Sequence, residues 1–496
     1  MPVSDAVIIG GGPAGSTAAR LLAQWGHAVT LLTTAAGSQP SFAECLPPST
    51  RKLFVFLGVQ DAIDRARFFR TSGNTVWWGK AQLNGLRPRV EPYPEGWGYQ
   101  VLRAEFDALL LSLARGAGVQ VQFGKAIGSF NKSGPHVEFR CGDGAEEIQT
   151  KFVLDCSGRA GVLGRFLRAT QPAIEKQPRT VALCAAWKSE SGWKLPDASH
   201  TLVESYGDGW AWSVPLSPST RQVAVMVDAM ADPPGPWPPT PGPRSLAARY
   251  QAELAKTGAF RRIFRQSLLD GVSWDGEPWG RPASCYTSTQ FCGSGFLLAG
   301  DAGSIIDPLS SFGVKKAMAS AWVGAVVANT CLRNPAMQDN ALRFYEDRER
   351  QVYEDCQKLS ASWFRQGFSN GFRKGGGHPF WEDRAGAPGS SAPAVGQPPD
   401  AARVAWEALQ RKPSIRLRRS GRALKPEAAI EGNQIVLRDA MLGEVNLVRL
   451  SQIAEGHLQV PDVFEAYNRT CAPVALPNFL AALATLIAEK VLTDQP

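Results

Sequence analysis

No stretch of this 496-residue chain approaches twenty uninterrupted apolar residues, so no membrane-spanning helix is expected. The nine cysteines are scattered, at positions 45, 141, 156, 184, 285, 292, 331, 356 and 471, and never form a C-x-x-C pair. An odd, dispersed set suits buried thiols in a reducing compartment better than a disulfide framework or a metal site. The five histidines are equally dispersed, and no metal is expected. The N-terminus has no basic region and runs directly into a strand-like segment, so no signal peptide is expected and the location is read as cytoplasmic. Acids are short of balance: 53 Lys and Arg face 45 Asp and Glu, a formal charge of +8. That excess favours an anionic cofactor or partner and does not by itself indicate nucleic acid. The basic concentration RKPSIRLRRSGR, Arg411 to Arg422, reads as a solvated surface segment.

A hydrophobic content of 44% with 20% charged residues is that of a globular protein, and the length implies two or three domains. The chain is organised around DAVIIGGGPAGSTAAR, Asp5 to Arg20. Ala6 to Ile9 has the character of a buried parallel strand. It leads into Gly10, Gly12, Pro13, Ala14 and Gly15, a G-x-G-x-x-G turn, and then a helix from Ser16 to Trp25 and a second strand from Ala28 to Leu32. This βαβ unit sets a helix N-terminus beside glycines that let backbone approach a pyrophosphate. The second strand ends in Thr33-Thr34, where an acid usually holds the ribose.

Further along, Pro47-Pro48 interrupts the chain and Ser49 is placed to cap a helix over Thr50 to Leu57. Gly142-Asp143-Gly144 reads as a hairpin turn. Short strands recur between 180 and 290, as in an antiparallel sheet. PPGPWPPTPGP, Pro233 to Pro243, must be loop. Helices follow from Val314, and a single strand is expected at Gln434 to Leu437. The 15 tryptophans cluster at Trp77-Trp78, Trp210/Trp212 and Trp274/Trp279, which suggests an aromatic-walled cavity, with core packing taking part of them.

Three signatures then stand in order. Gly10 to Gly15 resembles the pyrophosphate loop of FAD-dependent monooxygenases of the phenol-hydroxylase fold. Gly300-Asp301-Ala302 with Asp307-Pro308 resembles that family's second FAD motif, which implies Asp301 on the ribityl chain. Pro308, Ser311 and Gly313 then lead into a helix aimed at the cofactor. LDCSGR, Leu154 to Arg159, is similar to the family's D-A-S-G-R stretch, and Arg103 in LRAEFD matches an arginine placed near the FAD phosphates. The resemblance covers about residues 5 to 375. It implies FAD, O2 and a reductant, either NAD(P)H or reduced flavin from a reductase.

Gly209 to Pro215, GWAWSVP, resembles the W-x-W-x-I-P motif of flavin-dependent tryptophan halogenases, and AECLPPS, Ala43 to Ser49, resembles their G-E-S-x-x-P loop. No lysine appears between Lys52 and Lys80, where those enzymes carry the lysine that captures hypohalous acid. Arginine stays protonated and cannot supply that amine. What remains is transfer of oxygen from a C4a-hydroperoxyflavin to an aromatic ring. Glu44, Arg70 and Thr71 are candidates at the reacting end, with Pro47, Trp78, Trp210 and Trp212 lining the substrate pocket. A C-terminal extension with Pro- or Asp-started helices resembles a winged-helix module. The whole resembles the flavoprotein monooxygenases of quinohemoprotein amine dehydrogenase biogenesis, which implies an aromatic substrate that is a tryptophan within a partner polypeptide. A halogenase of indole or phenol, an isoprenoid reductase and a non-catalytic flavin-binding scaffold are the alternatives.

The expected fold class is α/β: a Rossmann-like FAD-binding domain (1–180 and 285–335) with an inserted antiparallel β-sheet substrate domain (181–284). A helical segment (336–384), a linker (385–400) and a small, mainly helical, winged-helix-like C-terminal domain (401–496) complete it.

Overall fold

The computed structural model describes residues 4–34, 41–79, 87–94, 96–124, 127–133, 136–141, 146–167, 179–229, 245–269, 272–369, 379–385, 416–420, 422, 424–455 and 459–495. The expected turn at Gly142 to Gly144, the proline loop from Pro233 to Pro243, the linker beyond Ala385 and the basic residues Arg411 to Ile415 lie outside them. The chain divides into two compact units, Met1–Gln338 with Tyr345–Ser391, and Asp339–Phe344 with Ala392–Pro496. No helix is long and apolar enough to cross a membrane among the described residues.

The first unit is α/β. The strand Ser4–Ile9 is fully buried from Ala6 to Ile9, where apolar side chains stand on both faces. It pairs in parallel with Val29–Thr33 on one side and Glu146–Asp155 on the other. Gln120–Phe123 and Phe296–Leu298 extend the parallel sheet, and the antiparallel hairpin Ile127–Ser133/His136–Cys141 joins the near end of Glu146–Asp155. The helix Pro13–Gln24 crosses between the first two strands, opened by Gly12 as N-cap and Pro13 in its first turn. The strand-turn-helix-strand unit read from Asp5 to Leu32 is therefore present as expected.

The second sheet runs Val272–Pro282, Thr180–Ser189, Thr220–Asp228, Gly209–Pro215, Thr201–Tyr206, Gly73–Trp77, Arg89–Pro92. Its first five strands are antiparallel and come from the inserted stretch. The last two come from upstream, and Gly73–Trp77 pairs in parallel with Thr201–Tyr206. The insertion thus completes a sheet whose far edge the chain supplies before residue 100. Gly209–Pro215 is buried at every position, which requires cover on both faces. Ala211 faces a layer with Tyr250, Leu254, Phe260 and Phe264 from the helices Leu246–Lys256 and Ala259–Leu269. Trp210, Trp212 and Val214 face Phe364, Phe380 and Trp381. A third, three-stranded sheet holds Ala43–Leu46, Gly98–Leu102 and Phe69–Thr71, with Glu44 opposite Val101. The helix expected from Thr50 runs Pro48–Phe56 instead, with Pro47 as N-cap and Pro48 at its start, where proline's missing N–H costs nothing.

Among its described residues beyond 391, the second unit packs the helices Leu447–Ala454, Val460–Thr470 and Leu476–Ala488 around Leu450, Val463, Tyr467, Phe479 and Leu483. The strand expected at Gln434 is one arm of a hairpin with Glu427–Glu431, and Arg416–Arg419 pairs with Leu492–Gln495. EAAIE has little β-propensity of its own and takes strand form through that pairing.

Glu204, fully buried on Thr201–Tyr206, accepts from the backbone N–H groups of Gly258, Ala259 and Phe260 at the start of Ala259–Leu269. Replacing it by alanine leaves three backbone donors, two of them fully buried, without this carboxylate. Glu204→Ala is expected to destabilise the first unit by about 3 kcal/mol, read as a lower denaturant midpoint.

Candidate active site

The carboxyl end of the parallel sheet opens into a cleft of about 1090 Å³. Its floor is the turn after Ser4–Ile9. Gly10 has φ +105°, and a Cβ there would meet the Cys156 carbonyl at 2.4 Å. A Cβ on Gly15 would lie 1.8 Å from the Gly10 carbonyl, so only glycine lets the helix seat on the strand. Gly12 has no such neighbour and faces the cleft, as do Pro13 and Ala14. Thr33 explains the missing acid: its hydroxyl accepts from the Gly11 N–H at 3.1 Å. The second strand therefore ends in a group that braces the glycine turn.

Across the cleft, the small sheet presents Glu44 and the helix Arg103–Gly116 opens with Arg103. Arg103 grips Asp107, one turn on, through two hydrogen bonds of 2.9 Å and lies 3.6 Å from Glu44. Burial works against the Arg103 charge, but Asp107 and Glu44 more than offset it and raise its pKa. Burial pushes the Glu44 carboxyl up to about 7, Arg103 pulling it down while Asp301 and Asp107 push it further up. Glu44 is thus a proton-holding group near neutrality. Asp301 faces the cleft from the tight turn Gly300–Ala302, and Gly313, Val314 and Ala317 from the start of the helix Gly313–Arg333. That helix has no side-chain cap and no acid in its first turn, so its N–H groups and dipole are available to negative charge.

The structure brings Gly10, Gly12, Pro13, Ala14, Glu44, Arg103, Asp301 and Gly313 to one cleft. Gly15, Gly300, Pro308 and Ser311 shape its backbone: Gly300 has φ +63°, Ser311 φ +53°, and Pro308 starts a tight turn capped by Asp307. Asp307 accepts from the Leu309 N–H at 2.9 Å, and Asp155 accepts from Ser157 and Leu163, so both are structural caps. The remaining expected residues stand elsewhere. Arg70 is exposed and stacks over Trp97 at 4.4 Å, and Thr71 is buried with its hydroxyl on the Gly73 carbonyl. Pro47 caps a helix. Trp78 donates to the Trp363 carbonyl, Trp210 is core, and Trp212 stacks on Phe42 at 6.2 Å. The expected aromatic-walled cavity is, at Trp210 and Trp212, a packed layer, because helix Pro379–Ala385 lays Phe380 and Trp381 against it. Sequence reasoning missed Asp107 and Phe42 at the cleft; the i, i+4 spacing in RAEFD was the available signal for Asp107.

A carboxyl that holds its proton to about 7 when folded and to 4.5 when unfolded leaves the folded state the stronger proton binder between those values. Stability from Glu44 is then complete below pH 4.5 and is lost as pH rises through about 7. Glu44→Gln is expected to match the parent at pH 4 and exceed it by roughly 2 kcal/mol at pH 8, allowing for partial exposure. Denaturant midpoints of the flavin-free protein at the two pH values check this.

The sequence profile of the FAD binding domain family matches residues 3–356. A tryptophan 2-halogenase of Chondromyces crocatus is 29% identical over 347 residues, which cover 68% of this chain and 64% of that protein. The crystal structure of CmlS, a flavin-dependent halogenase, superposes with a TM-score of 0.73 at 23% identity, covering 100% of this chain and 96% of that one. QhpG, described as a peptidyl tryptophan dihydroxylase essential for tryptophylquinone cofactor biogenesis, gives 0.67 at 21% identity, covering 98% and 99%. The glycine cradle, the open helix N-terminus and Asp301 fit a dinucleotide with a polyol chain. The chain belongs to the FAD binding domain family, on a halogenase-like fold.

Proposed function

We propose that this protein is an FAD-dependent monooxygenase that hydroxylates an electron-rich aromatic ring, a tryptophan side chain of a partner polypeptide. FAD, when bound, supplies the redox chemistry and the activation of O2, with NAD(P)H or a separate reductase as the electron source. The Gly10 to Gly15 turn and the start of Pro13–Gln24 would hold its pyrophosphate, and Asp301 its ribityl hydroxyls. The free N–H groups at Gly313 and Val314 favour negative charge on the ring system. Glu44, titrating near neutrality on the cleft wall, can hold or release a proton at its carboxyl, with Arg103 3.6 Å from Oε1 favouring the ionised form.

One observation favours hydroxylation over halogenation. No lysine stands between Lys52 and Lys80, and the described residues of the cleft wall include arginines but no lysine. An amine placed to carry halogen is therefore missing from both. The halogenase reading keeps the support of its relatives, several of which are halogenases by name. The polypeptide substrate rests on the full-length likeness to QhpG.

Turnover with reduced FAD and heavy-isotope oxygen gas, in the presence of bromide, is expected to add heavy oxygen to a tryptophan-bearing peptide. Mass spectrometry of the peptide, free tryptophan and phenols reads the result; bromine in any product would replace this reading with the halogenase. Asp301→Ala is expected to weaken FAD binding by at least about tenfold, checked by titrating the stripped protein with FAD.

A further inference from the structure

Gly300, the residue before Asp301, has both backbone polar groups taken by one face of the helix Gly313–Arg333. Its N–H donates to Ser320 Oγ at 3.0 Å, and its carbonyl accepts from Lys316 Nζ at 2.9 Å. Lys316 and Ser320 are one helical turn apart and so share that face. The same ammonium donates to the Ser304 carbonyl at 2.6 Å and the Ser304 hydroxyl at 2.8 Å. All three of its protons are used, and it bridges both ends of the turn that carries Asp301. Ser320 Oγ in turn donates to Glu349 Oε2 at 2.9 Å, and Tyr345 ties the incoming strand through the Leu298 carbonyl.

Lys316 is 6% exposed and Glu349 3%. Burial lowers the Lys316 pKa, while the charges of Glu349 and Asp301 oppose that. An ammonium out of water is a costly way to fill space, and an apolar side chain of the same length would pack there more cheaply. The helix that carries it also brings Gly313, Val314 and Ala317 to the cleft. Ala317 Cβ stands 3.2 Å from where a Cβ on Gly300 would be, so turn and helix are in close contact as well as hydrogen bonded.

We infer that Lys316 is a positioning residue of the flavin site: its ammonium locks the Asp301 turn to the helix that opens on the cleft and keeps one fixed positive charge beneath that turn. The inference rests on the FAD reading of the cleft and is independent of whether the product is hydroxylated or halogenated.

Lys316→Met keeps the length of the side chain and removes its charge and donors. Ser320→Ala removes the hydrogen bond to the Gly300 N–H, together with that to Glu349, and no charge. The full chain is stripped and titrated with FAD, and the midpoint potential of the reloaded flavin is measured. Lys316→Met is expected to weaken FAD binding by about tenfold or more and move the midpoint to more negative potential, since reduced flavin carries added negative charge. Ser320→Ala is expected to weaken binding by about threefold with the midpoint unmoved. A Lys316→Met protein that binds FAD within about twofold of the parent, or loses affinity without a shift in midpoint, overturns the inference. Should Lys316→Met fail to fold, Ser320→Ala decides, and parental FAD affinity in it overturns the clamp.

Discussion

The cleft depends on one close approach, that of the helix Pro13–Gln24 onto the end of the strand Ser4–Ile9. With any Cβ at Gly15 the helix would have to lift off the Gly10 carbonyl, and with any at Gly10 the turn would strike the Cys156 backbone. Three chain segments meet at that corner with only hydrogen atoms between them. The Gly10 and Gly11 N–H groups are taken up by Leu32 and Thr33, and the helix's own bonding begins only with the Ser16 N–H on the Gly12 carbonyl, so the helix start is what the corner offers a pyrophosphate. Thr33 closes the corner by accepting from Gly11, so the strand that elsewhere offers an acid to a ribose here stiffens the phosphate turn.

Charge at the opposite wall is organised by scarcity. Arg103 serves Asp107 and Glu44 directly and lies in the field of Asp301 as well. Asp107 wins because it sits one turn along the same helix and meets the guanidinium with both oxygens. Glu44, at 3.6 Å, receives too little of the arginine to balance its loss of water, and its proton affinity rises accordingly. A weakly compensated acid beside a redox cofactor site is a consequence of that competition and needs no separate device.

The sequence made local features plain and distant ones obscure. The glycine turn, the helix after it, Arg103 at a helix start and the tight turn at Asp301 are written in contiguous residues whose spacing carries the physics. Alternation in GWAWSVP marks two faces of a strand, but it does not say what covers them, and Trp210 and Trp212 meet helix Pro379–Ala385 from more than 150 residues away. The parallel pairing of Gly73–Trp77 with Thr201–Tyr206 is equally non-local. Asp307 and Asp155 were legible as acids in the right motifs; that their oxygens cap turns follows from backbone N–H groups that no motif records.

The tryptophan motif and the cleft are nevertheless connected. Phe42 stands on the cleft wall and stacks on Trp212 with 25° between the rings, while Ala43, next along, donates to Gln222 of the same large sheet at 2.7 Å. The strand that carries Glu44 is therefore pinned to the tryptophan layer at the two residues before it. On the other side of the small sheet, Thr71 has its hydroxyl satisfied within its own turn and Arg70 turns outward to Trp97, a ring it shares with Arg51. Arg70 and Thr71 are thus both engaged within and around the small sheet, away from the cleft. What that sheet delivers to the cleft is Glu44, an acid whose proton affinity burial raises, on a strand held to the large sheet at the two residues before it.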